Sequence, residues 1–544
     1  MDFTSAFRQA STRCLTFSPG STFIASVTGD DASSIVVRAS STLQVIRTWT
    51  LDVSIQELEW SRDGAFILAS HPAQQEDGVV FVLSLDPGKE ANDGSDEGQG
   101  WVARIGAGSE GLSHATWTPP YGPRTLVMFS QNQVRASLYT LSDQTMAAIE
   151  GPKIERLIWS NKSPDRFATV LKGAERDHLA IFACKSLGIE DLKVFAVLPK
   201  SQEIWKSHGC FPLALNDAQD AIWSPDGTHI AVWEGLLEFK LQIYTPEGQL
   251  RATYLVEPES DGHPVTKKGS GSEQARSTAA RAAASRSKKD TVELPHIVAG
   301  GGLGIREVKW SPSARHLVVG GWDEKLRILE AESWNEVCCY DTAAKSIYAT
   351  TSSTDTSVYG PLIAWREPAS WLEETRARGI VALEHASLPV TPAVLKIDVS
   401  RANARVGIKW SEWSPKGNVL AAFNERLPTS LFIYAFTGLD VKGELIKDLR
   451  QPYLLSVLQL NSLIRKACWK PGHVGKLGIV CGNQAVYTWE LLGATSDTGP
   501  RFTARSEAIP IPTESFKATE IQWSLDGQKI LLASDELFCC AFEV

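Results

Sequence analysis

Hydrophobic and polar residues alternate along much of this chain in short runs, and the runs are grouped around one recurring phrase. The phrase is clearest at residues 221–227, Ala-Ile-Trp-Ser-Pro-Asp-Gly, and leads into a second apolar run at 229–233. Alternation with a period of two predicts a strand. Ser-Pro-Asp-Gly predicts a tight turn, because proline presets the first turn position and Asp and Gly tolerate the next ones. The phrase therefore predicts a β-hairpin.

Nine copies of the phrase occur along the chain, and each carries an aromatic residue directly before the turn. After each turn comes a short apolar strand, then a more strongly alternating one, and usually a polar outer strand. The shortest separation between copies is 42 residues. Four strands in a unit of about 40–45 residues is the blade of a WD-type β-propeller. The nine aromatic positions are Phe17, Trp60, Trp117, Trp159, Trp223, Trp310, Trp413, Trp469 and Trp523.

The units predict an all-β fold, a WD40-type β-propeller spanning residues 1–544 and built from nine four-stranded blades. The last unit ends at its third strand, 538–542, while a spare segment, residues 2–7, precedes the first unit. We predict that this N-terminal segment completes the last blade, because ring closure removes exposed strand edges. Two smaller propellers are the alternative, since the long stretch 342–404 could hide a degenerate blade.

Three insertions separate the units. Residues 86–100 are acidic and glycine-rich, which predicts a solvated loop. Residues 257–294 form a basic, low-complexity loop that is predicted to be disordered, because it offers little apolar surface to bury. For its most basic part we favour a solvated linker over a nuclear-import patch, a contact with tubulin tails, a phosphorylated loop or a partner-induced helix. Residues 342–404 are predicted to be partly structured, with a short helix over 369–378 and a strand at 380–383.

Composition narrows the class of protein. The chain is 43% hydrophobic with 18 tryptophans, enough for a large core, and its net charge of −9 argues against a general nucleic-acid binder. No apolar run approaches 18 residues and no signal peptide precedes the first unit, so neither a membrane span nor secretion is predicted. The nine cysteines are odd in number and lack CxxC spacing, so we expect reduced core residues.

Because the sequence lacks the common catalytic motifs, we predict that the protein is not an enzyme. None of the ten histidines is four residues from another, and no HExxH, GxSxG or Walker A motif is present. Gly300–Gly304 precedes a strand rather than a helix, which favours a hinge over a phosphate loop. Glu57 and Glu59 flank strand residues and are not expected to act as a catalytic pair. We therefore expect no cofactor and no metal.

Four residues are candidates for contact with a partner: Trp322, Asp323, Trp365 and Trp371. The first two fall in a turn between strands, where a large apolar side chain has little local reason to be. The other two lie in the 342–404 insertion. Tryptophan is enriched at interface anchors. Packing of the insertion against the blades is the alternative explanation.

The sequence resembles a known family over nearly its whole length, the WD-repeat protein eight family of centrosomal and spindle-pole-body proteins, also described as antisense to p73. The chain is similar to a fungal-type member. The resemblance rests on Ile230–Glu234, Leu237–Lys240, Ile243–Tyr244, Gly248–Leu250 and Thr253–Tyr254, with support from 304–313, 325–329, 401–403 and 538–540.

The resemblance implies a scaffold that binds a coiled-coil protein of the synovial-sarcoma-X-breakpoint-interacting or Msd1 type, with a kinesin-14 motor as a further partner. It also implies other microtubule-organising-centre components as partners, no nucleic acid and no membrane. The implied role is to anchor microtubule minus ends and organise the spindle. The implied location is the cytoplasm and cytoskeleton, at the spindle pole body or centrosome, and a nuclear location during mitosis stays open.

A second functional class also fits a nine-bladed propeller with Trp-Ser-Pro-Asp-Gly turns, because such rings resemble a translation-initiation scaffold family. The run at 230–254 favours the spindle-pole family instead. So does the lack of a long charged segment after the last unit. A propeller enzyme is the third class, and it would require polar residues that converge in the central channel.

Overall fold

The fold is seen in a computed structural model. It describes the chain apart from residues 75–76, 87–100, 120–123, 143, 152, 185–204, 237, 258–295, 300–303, 344–346, 348–361, 376–377, 397–405, 440–444, 497–498, 514 and 544. The predicted acidic loop at 86–100, the basic loop at 257–294 and the hinge at 300–304 therefore lie almost entirely outside the described residues.

The described residues form nine sheets of four or more strands, one for each copy of the phrase, and the four strands of each blade pair antiparallel. The N-terminal strands are β1 (Asp2–Phe3) and β2 (Phe7–Arg8). Blade 1 contains β3 (Leu15–Phe17), β4 (Phe23–Thr28), β5 (Ser34–Ala39) and β6 (Val45–Thr50). Blade 2 contains β7 (Glu57–Trp60), β8 (Phe66–His71), β9 (Val79–Ser84) and β10 (Trp101–Gly106). Blade 3 contains β11 (His114–Trp117), β12 (Thr125–Phe129), β13 (Arg135–Thr140) and β14 (Thr145–Glu150).

The next three blades repeat this order. Blade 4 contains β15 (Ile158–Trp159), β16 (Arg166–Leu171), β17 (His178–Cys184) and β18 (Trp205–Pro212). Blade 5 contains β19 (Ala218–Trp223), β20 (Ile230–Glu234), β21 (Phe239–Tyr244) and β22 (Leu250–Glu257), and β23 (His296–Ala299) adds a parallel fifth strand. Blade 6 contains β24 (Ile305–Trp310), β25 (His316–Gly321), β26 (Lys325–Glu330) and β27 (Glu336–Asp341).

The long insertion follows, with β28 (Ile363–Arg366), the single-turn helix α1 (Trp371–Glu374), β29 (Val381–Ala382) and β30 (Glu384–Ala386). Blade 7 contains β31 (Ile408–Trp413), β32 (Val419–Asn424), β33 (Ser430–Leu439) and β34 (Leu445–Gln459). Blade 8 contains β35 (Lys466–Trp469), β36 (Lys476–Val480), β37 (Ala485–Ser496) and β38 (Gly499–Pro510). Blade 9 contains β39 (Glu520–Trp523), β40 (Lys529–Ala533) and β41 (Leu537–Phe542). Two short 3-10 helices lie at Thr12–Cys14 and Gly108–Glu110.

The turn of the repeat phrase is built by its own side chains. In blade 5 the Ser224 hydroxyl accepts the backbone N–H of His229 at 2.9 Å and donates to Asp226 at 2.5 Å. The same bond recurs in five other copies, where the serine hydroxyl accepts the backbone N–H of the residue five positions later. These serines are Ser18, Ser61, Ser311, Ser414 and Ser524. Gly227 has φ +71°, a left-handed conformation that favours glycine. The phrase therefore specifies the turn through local bonds.

The aromatic residue of the phrase faces the preceding blade. The indole nitrogen of Trp223 donates to the carbonyl of Ile158 at 2.9 Å, and that of Trp469 donates to the carbonyl of Glu412 at 2.9 Å. Trp523 bonds in the same way to Cys468 at 3.1 Å. In each case the acceptor lies directly before the aromatic residue of the previous copy. Position in the repeat thus explains these tryptophans as inter-blade contacts.

Nine buried apolar clusters hold the blades in one closed ring. Each joins consecutive blades, starting with blades 1 and 2. The ninth cluster brings Leu15 and Phe17 of blade 1 against Leu531 and Cys540 of blade 9. A pair of smaller propellers would interrupt this series. The prediction of a single nine-bladed ring is confirmed.

The N-terminal segment closes the ring as predicted. Strand β1 pairs antiparallel with β41, with Asp2 opposite Phe542, and β2 pairs with the start of the same strand. The rings of Phe7 and Phe538 stack with centroids 5.4 Å apart. Blade 9 is therefore made from both ends of the described chain.

The cysteine prediction is wrong for two residues. All nine cysteines are free, but Cys210 and Cys339 are exposed. Both lie on the outer strand of a blade, β18 and β27, where one side of the strand faces solvent. Cys539 and Cys540 are both buried, because their strand lies inside blade 9 and its two faces contact blade 8 and blade 1 respectively. Burial raises the pKa of each of these two thiols to about 12, which favours the protonated form.

Candidate interaction surfaces

One face of the ring carries the turns between the second and third strands of the blades, together with the connections from each blade to the next. Antiparallel pairing of successive strands puts these segments at the same end of every blade. We call this the B–C face. In blades 6 to 9 it includes the turns 322–324, 425–429 and 481–484 and the connections 460–465 and 511–519.

Asp323 lies in the first of these turns and forms a buried ion pair. Its two carboxylate oxygens accept from the Arg327 guanidinium at 3.1 and 2.6 Å. The guanidinium also lies 4.4 Å over the ring of Phe239 in blade 5. Burial lowers the pKa of Arg327, but hydrogen bonds and the charge of Asp323 outweigh it and raise that pKa overall. Asp323 therefore ties the turn to its own blade and to blade 5.

Trp322, its neighbour, is half-buried rather than enclosed. The Arg306 guanidinium lies 4.3 Å over its ring, and the same arginine bonds to Glu425 at 2.7 Å. The indole nitrogen is buried without a hydrogen-bond partner. Of the three tryptophans named as partner candidates, Trp322 keeps the most exposed surface, and its role as an anchor stays a prediction.

Trp365 and Trp371 are each only 4% exposed, inside the cluster that joins blades 7 and 8. Trp365 lies on β28 and packs against His385 of β30 with ring centroids 4.3 Å apart. β28 runs parallel to β34, the outer strand of blade 7, and β29 pairs with β38, the outer strand of blade 8. The insertion therefore covers the outer edges of two blades, and both tryptophans pack it in place. A contact of either with a partner stays a prediction.

A buried carboxylate fixes the insertion to both blades. One oxygen of Glu367 accepts from the Trp371 indole at 2.7 Å and from the Tyr487 hydroxyl of blade 8 at 2.7 Å. Its other oxygen accepts the backbone N–H of Asn461 at 2.6 Å. Burial and the charge of Glu367 raise the pKa of Tyr487, so this hydroxyl keeps its proton. Nothing in the sequence pattern singled out Glu367, because a lone glutamate in an insertion looks like a surface residue.

Further bonds connect the turn of blade 6 to the insertion across the B–C face. Glu324 accepts from Asn424 at 3.0 Å and from Arg426 at 2.8 Å, both in the next blade. The carbonyl of Arg426 in turn accepts the N–H of Leu395, in the last part of the insertion, at 2.8 Å. Trp322 and the insertion thus border one continuous surface, while Trp365 and Trp371 lie beneath it.

The inner strands carry several carboxylate side chains. Half-buried positions carry Glu59, Asp220, Glu307 and Glu412, and burial raises the pKa of each carboxyl. Glu59 accepts the backbone N–H of Trp117 at 3.3 Å, and Glu307 accepts from Ser411 at 2.9 Å. These two bonds join inner strands of neighbouring blades, which gives the carboxylates a structural use.

A cleft of about 570 Å³ lies between blades 4 and 5 and is lined by paired charges. Lys172 bonds to Asp177 at 2.9 Å and to Asp217 at 2.6 Å, and Arg156 bonds to Asp220 at 2.6 Å. Burial lowers the pKa of Lys172, but its two carboxylate partners outweigh this and raise it. The charges satisfy each other, so the cleft has no strong preference for an anion or a cation.

In the part of the chain that the structure describes, no group of three or more His, Cys, Asp or Glu side chains is arranged to hold a metal ion. No helix among those residues is long and apolar enough to cross a membrane.

A known family model matches one copy of the repeat. The model of the WD domain, G-beta repeat family matches residues 294–329, which include the first two strands of blade 6 and most of the third. A mouse protein, the WD repeat-containing protein WRAP73, is 24% identical over 557 aligned residues, covering 100% of this chain and 96% of the relative. The chain is therefore a WD-repeat protein that is similar to WRAP73 over its full length.

Solved structures that resemble the chain include a WD40 domain. The C-terminal WD40 domain of Sif2 is 9% identical, with a TM-score of 0.42, and covers 100% of this chain and 99% of that one. Sqt1 from Chaetomium thermophilum is 13% identical, with a TM-score of 0.42, and covers 88% of this chain and 94% of that one. The similarity to WRAP73 supports a protein-interaction scaffold, a function that depends on surfaces.

Sequence reasoning missed the surface residues that the insertion brings to the B–C face. Val394, Leu395 and Leu463 are exposed there, although their apolar character suggests a core position. The signal available was misleading: residues 395–400 alternate between apolar and polar positions, which favours a strand rather than an exposed pair at Val394–Leu395. Only the fold shows that these residues lie beside one turn of blade 7.

Proposed function

We propose that this chain is a non-enzymatic scaffold at the spindle pole body or centrosome, where it binds a coiled-coil protein and helps to anchor microtubule minus ends. The observation that carries the proposal is the similarity to WRAP73 over the full length of the chain. The segment that most resembles the WD-repeat protein eight family, residues 230–254, forms β20, β21 and β22 of blade 5.

The rigidity of the ring and its exposed surfaces support a scaffold function. A closed ring with nine inter-blade clusters is rigid, and a rigid surface loses little conformational entropy when a partner binds. The ring offers two faces and an outer rim, and the insertion thickens the rim at blades 7 and 8. Affinity for a partner would come from a few exposed anchors on such a surface.

The proposed partners follow from the family resemblance. They are a coiled-coil protein of the synovial-sarcoma-X-breakpoint-interacting or Msd1 type, a kinesin-14 motor and other microtubule-organising-centre components. The proposed location is the cytoplasm and cytoskeleton, at the spindle pole.

Proximity labelling from dividing cells tests the proposal. The full chain is fused to a labelling enzyme and compared with the same enzyme on an unrelated propeller. We expect enrichment of pole components and of the coiled-coil protein. Enrichment of ribosomal or initiation-complex proteins, without pole components, would support the translation-scaffold alternative and overturn the proposal.

A further inference from the structure

An exposed apolar patch lies on the B–C face of blades 7 and 8. Its members are Val394, Leu395 and Leu463, with exposures of 51%, 49% and 48%. Apolar residues beside them are buried: Leu427, in the turn of blade 7, at 1%, and Ile464, next to Leu463, at 9%. The three side chains therefore project from a packed base.

Backbone hydrogen bonds hold the patch together. The N–H of Leu395 donates to the carbonyl of Arg426 at 2.8 Å, and the N–H of Ile464 donates to the carbonyl of Pro428 at 2.8 Å. The segments that carry Leu395 and Leu463 therefore flank a single turn of blade 7. The Gln459 side chain adds a bond to the carbonyl of Thr391 at 3.4 Å. The patch is consequently pre-organised, and a ligand would not need to order it.

The border of the patch is basic. Lys396, Arg465 and Lys517 are exposed and form no ion pair within the described ranges. Arg465 packs near Gly482, whose N–H donates to the carbonyl of Ala518, next to Lys517, so these two cations share the same side of the patch. Two acidic residues of blades 7 and 9 are already paired: Glu425 with Arg306 at 2.7 Å, and Glu520 with Lys466 at 2.5 Å.

This local positive charge stands out on a chain whose net charge is −9. Opposite charges at the rim of an apolar contact raise the association rate and select the partner. The chemistry that complements the patch is therefore an apolar stripe flanked by carboxylates.

The outer edges of these blades argue for a helical partner rather than an added strand. β28 covers the edge of β34 at residues 456–459 and β29 covers the edge of β38 at residues 507–508, so the backbone groups nearest the B–C face are already paired there. A partner must then bind through side chains. An amphipathic helix does so by presenting apolar residues at positions i, i+3, i+4 and i+7.

We propose that the B–C face of blades 7 and 8 docks an amphipathic helix whose apolar stripe is flanked by acidic residues. The inference rests on the proposed function in one respect: it names the surface on which the coiled-coil partner binds. Leu395 and Leu463 contact the stripe, and Lys396, Arg465 and Lys517 face the carboxylates.

The test uses the full chain and two synthetic coiled-coil peptides with identical apolar positions. One peptide carries Glu and the other Lys at the flanking positions. The first variant combines Leu395→Asp with Leu463→Asp, and the second combines Lys396→Glu with Arg465→Glu. The matched control combines Ile46→Asp with Leu525→Asp, two similarly exposed apolar residues outside the B–C face, at 51% and 64%.

Fluorescence anisotropy measures the binding. We expect the Glu peptide to bind the unchanged chain, and to bind the Leu395/Leu463 variant at least about tenfold more weakly, as is usual for loss of interface anchors. The charge variant should lose affinity for the Glu peptide and gain affinity for the Lys peptide. The control should bind like the unchanged chain. Equal binding by all variants, stronger binding of the Lys peptide to the unchanged chain, or no binding of either peptide would overturn the proposal.

A second arm separates this inference from the proposed function. The same variants are co-expressed with the full-length coiled-coil protein of the Msd1 type, and complex formation is measured by co-purification. Equal recovery with every variant would leave the proposed partner in place and overturn the surface. Surface-dependent peptide binding without recovery of the coiled-coil protein would keep the surface and overturn the proposed partner.

Discussion

Blade edges at two places on the ring are covered by segments distant in sequence: the N-terminal strands complete blade 9, and the insertion extends blades 7 and 8. The two segments are attached in different ways. At blade 9, the N-terminal strands pair with β41, mainly through backbone hydrogen bonds, supported by the side chain of Gln9 on the carbonyl of Ser534 at 2.6 Å. At blades 7 and 8, the insertion adds strands to the outer edges, but one buried carboxylate, Glu367, collects three donors. The first attachment relies mainly on strand pairing, whereas the second combines strand pairing with a side-chain hydrogen-bond hub.

The difference predicts how each attachment fails. Backbone pairing is spread over several residues, so point substitutions should weaken it gradually. A buried hydrogen-bond hub should fail at once when its acceptor is removed, because every donor loses its partner.

The largest effect is expected from deletion of residues 2–9. The deletion removes β1 and β2 and uncovers the edge of β41. Lost pairing and burial should cost on the order of 5 kcal/mol in the free energy of unfolding. The bare edge should also promote self-association. Chemical denaturation and analytical ultracentrifugation measure the two effects.

Arg8→Ala serves as the control for this deletion, because Arg8 is exposed and its backbone pairing is kept. A deletion variant that is monomeric and as stable as the full chain would show that the N-terminal strands do not hold the ring closed.

A smaller loss, about 3 kcal/mol or more, is expected for Glu367→Ala, since three buried donors are left unsatisfied. Hydrogen exchange should speed up at residues 363–366 and 381–386, because these strands depend on the hub. Glu373→Ala, an exposed acid on α1, should change stability by less than about 0.5 kcal/mol. Equal effects of the two substitutions would contradict the role given to Glu367.

Tyr487→Phe should cost about 1–2 kcal/mol, because it removes one donor to Glu367 without opening a cavity. Combined with Glu367→Ala it should add little, since both changes break the same bond. A double-mutant cycle from denaturation curves measures the coupling. Full additivity would mean that the two residues act independently.

The smallest effect is expected in the pH dependence of stability, through Glu543 at the end of blade 9. Burial raises the pKa of Glu543, but its hydrogen bonds with Lys470 and Lys476 outweigh burial and hold that pKa below its usual value. The pair therefore stabilises the folded chain above the usual glutamate pKa, and this contribution is lost as the pH falls through the lower folded value.

Glu543→Gln should remove that part of the pH dependence and lower stability at pH 7 by about 1 kcal/mol or less, because the group is partly exposed to solvent. Denaturation at pH 7 and pH 3 measures it, with exposed Glu536→Gln as the control. A pH slope that is unchanged in Glu543→Gln would exclude this ion pair as its source.

The N-terminal strands could be predicted from sequence, whereas the attachment of the insertion could not. The blade phrase repeats, so each copy supports the others, and Trp223 or Ser224 can be assigned by analogy with eight other positions. The N-terminal strand was predictable because the last unit lacked a fourth strand, a deficit visible in the count of units. Both inferences use properties of the backbone and the repeat.

The insertion occurs once, so no repeat guides its interpretation. Trp365 and Trp371 were recognised as unusual, but their burial depends on where β28 and β29 attach. Glu367 and Arg327 are charged, and charged residues are seldom buried unless they are paired. Their partners, Tyr487 and Asp323, lie respectively 120 and 4 residues away. Only the fold reveals the distant pair, and even the near pair depends on the turn geometry at residues 321–325.

The closure by β1 and β2 sets a time order for folding in the cell. These strands leave the ribosome first, yet β41, the strand they pair with, is made more than 500 residues later. At about 5–20 residues per second, this delay is about half a minute to two minutes. Throughout that interval Phe3 and Phe7 lack the strand with which they pair, while blades 1 to 8 are completed. The first residues of the chain are therefore among the last to reach their native contacts, and they are the segment that a chaperone would have the longest opportunity to bind.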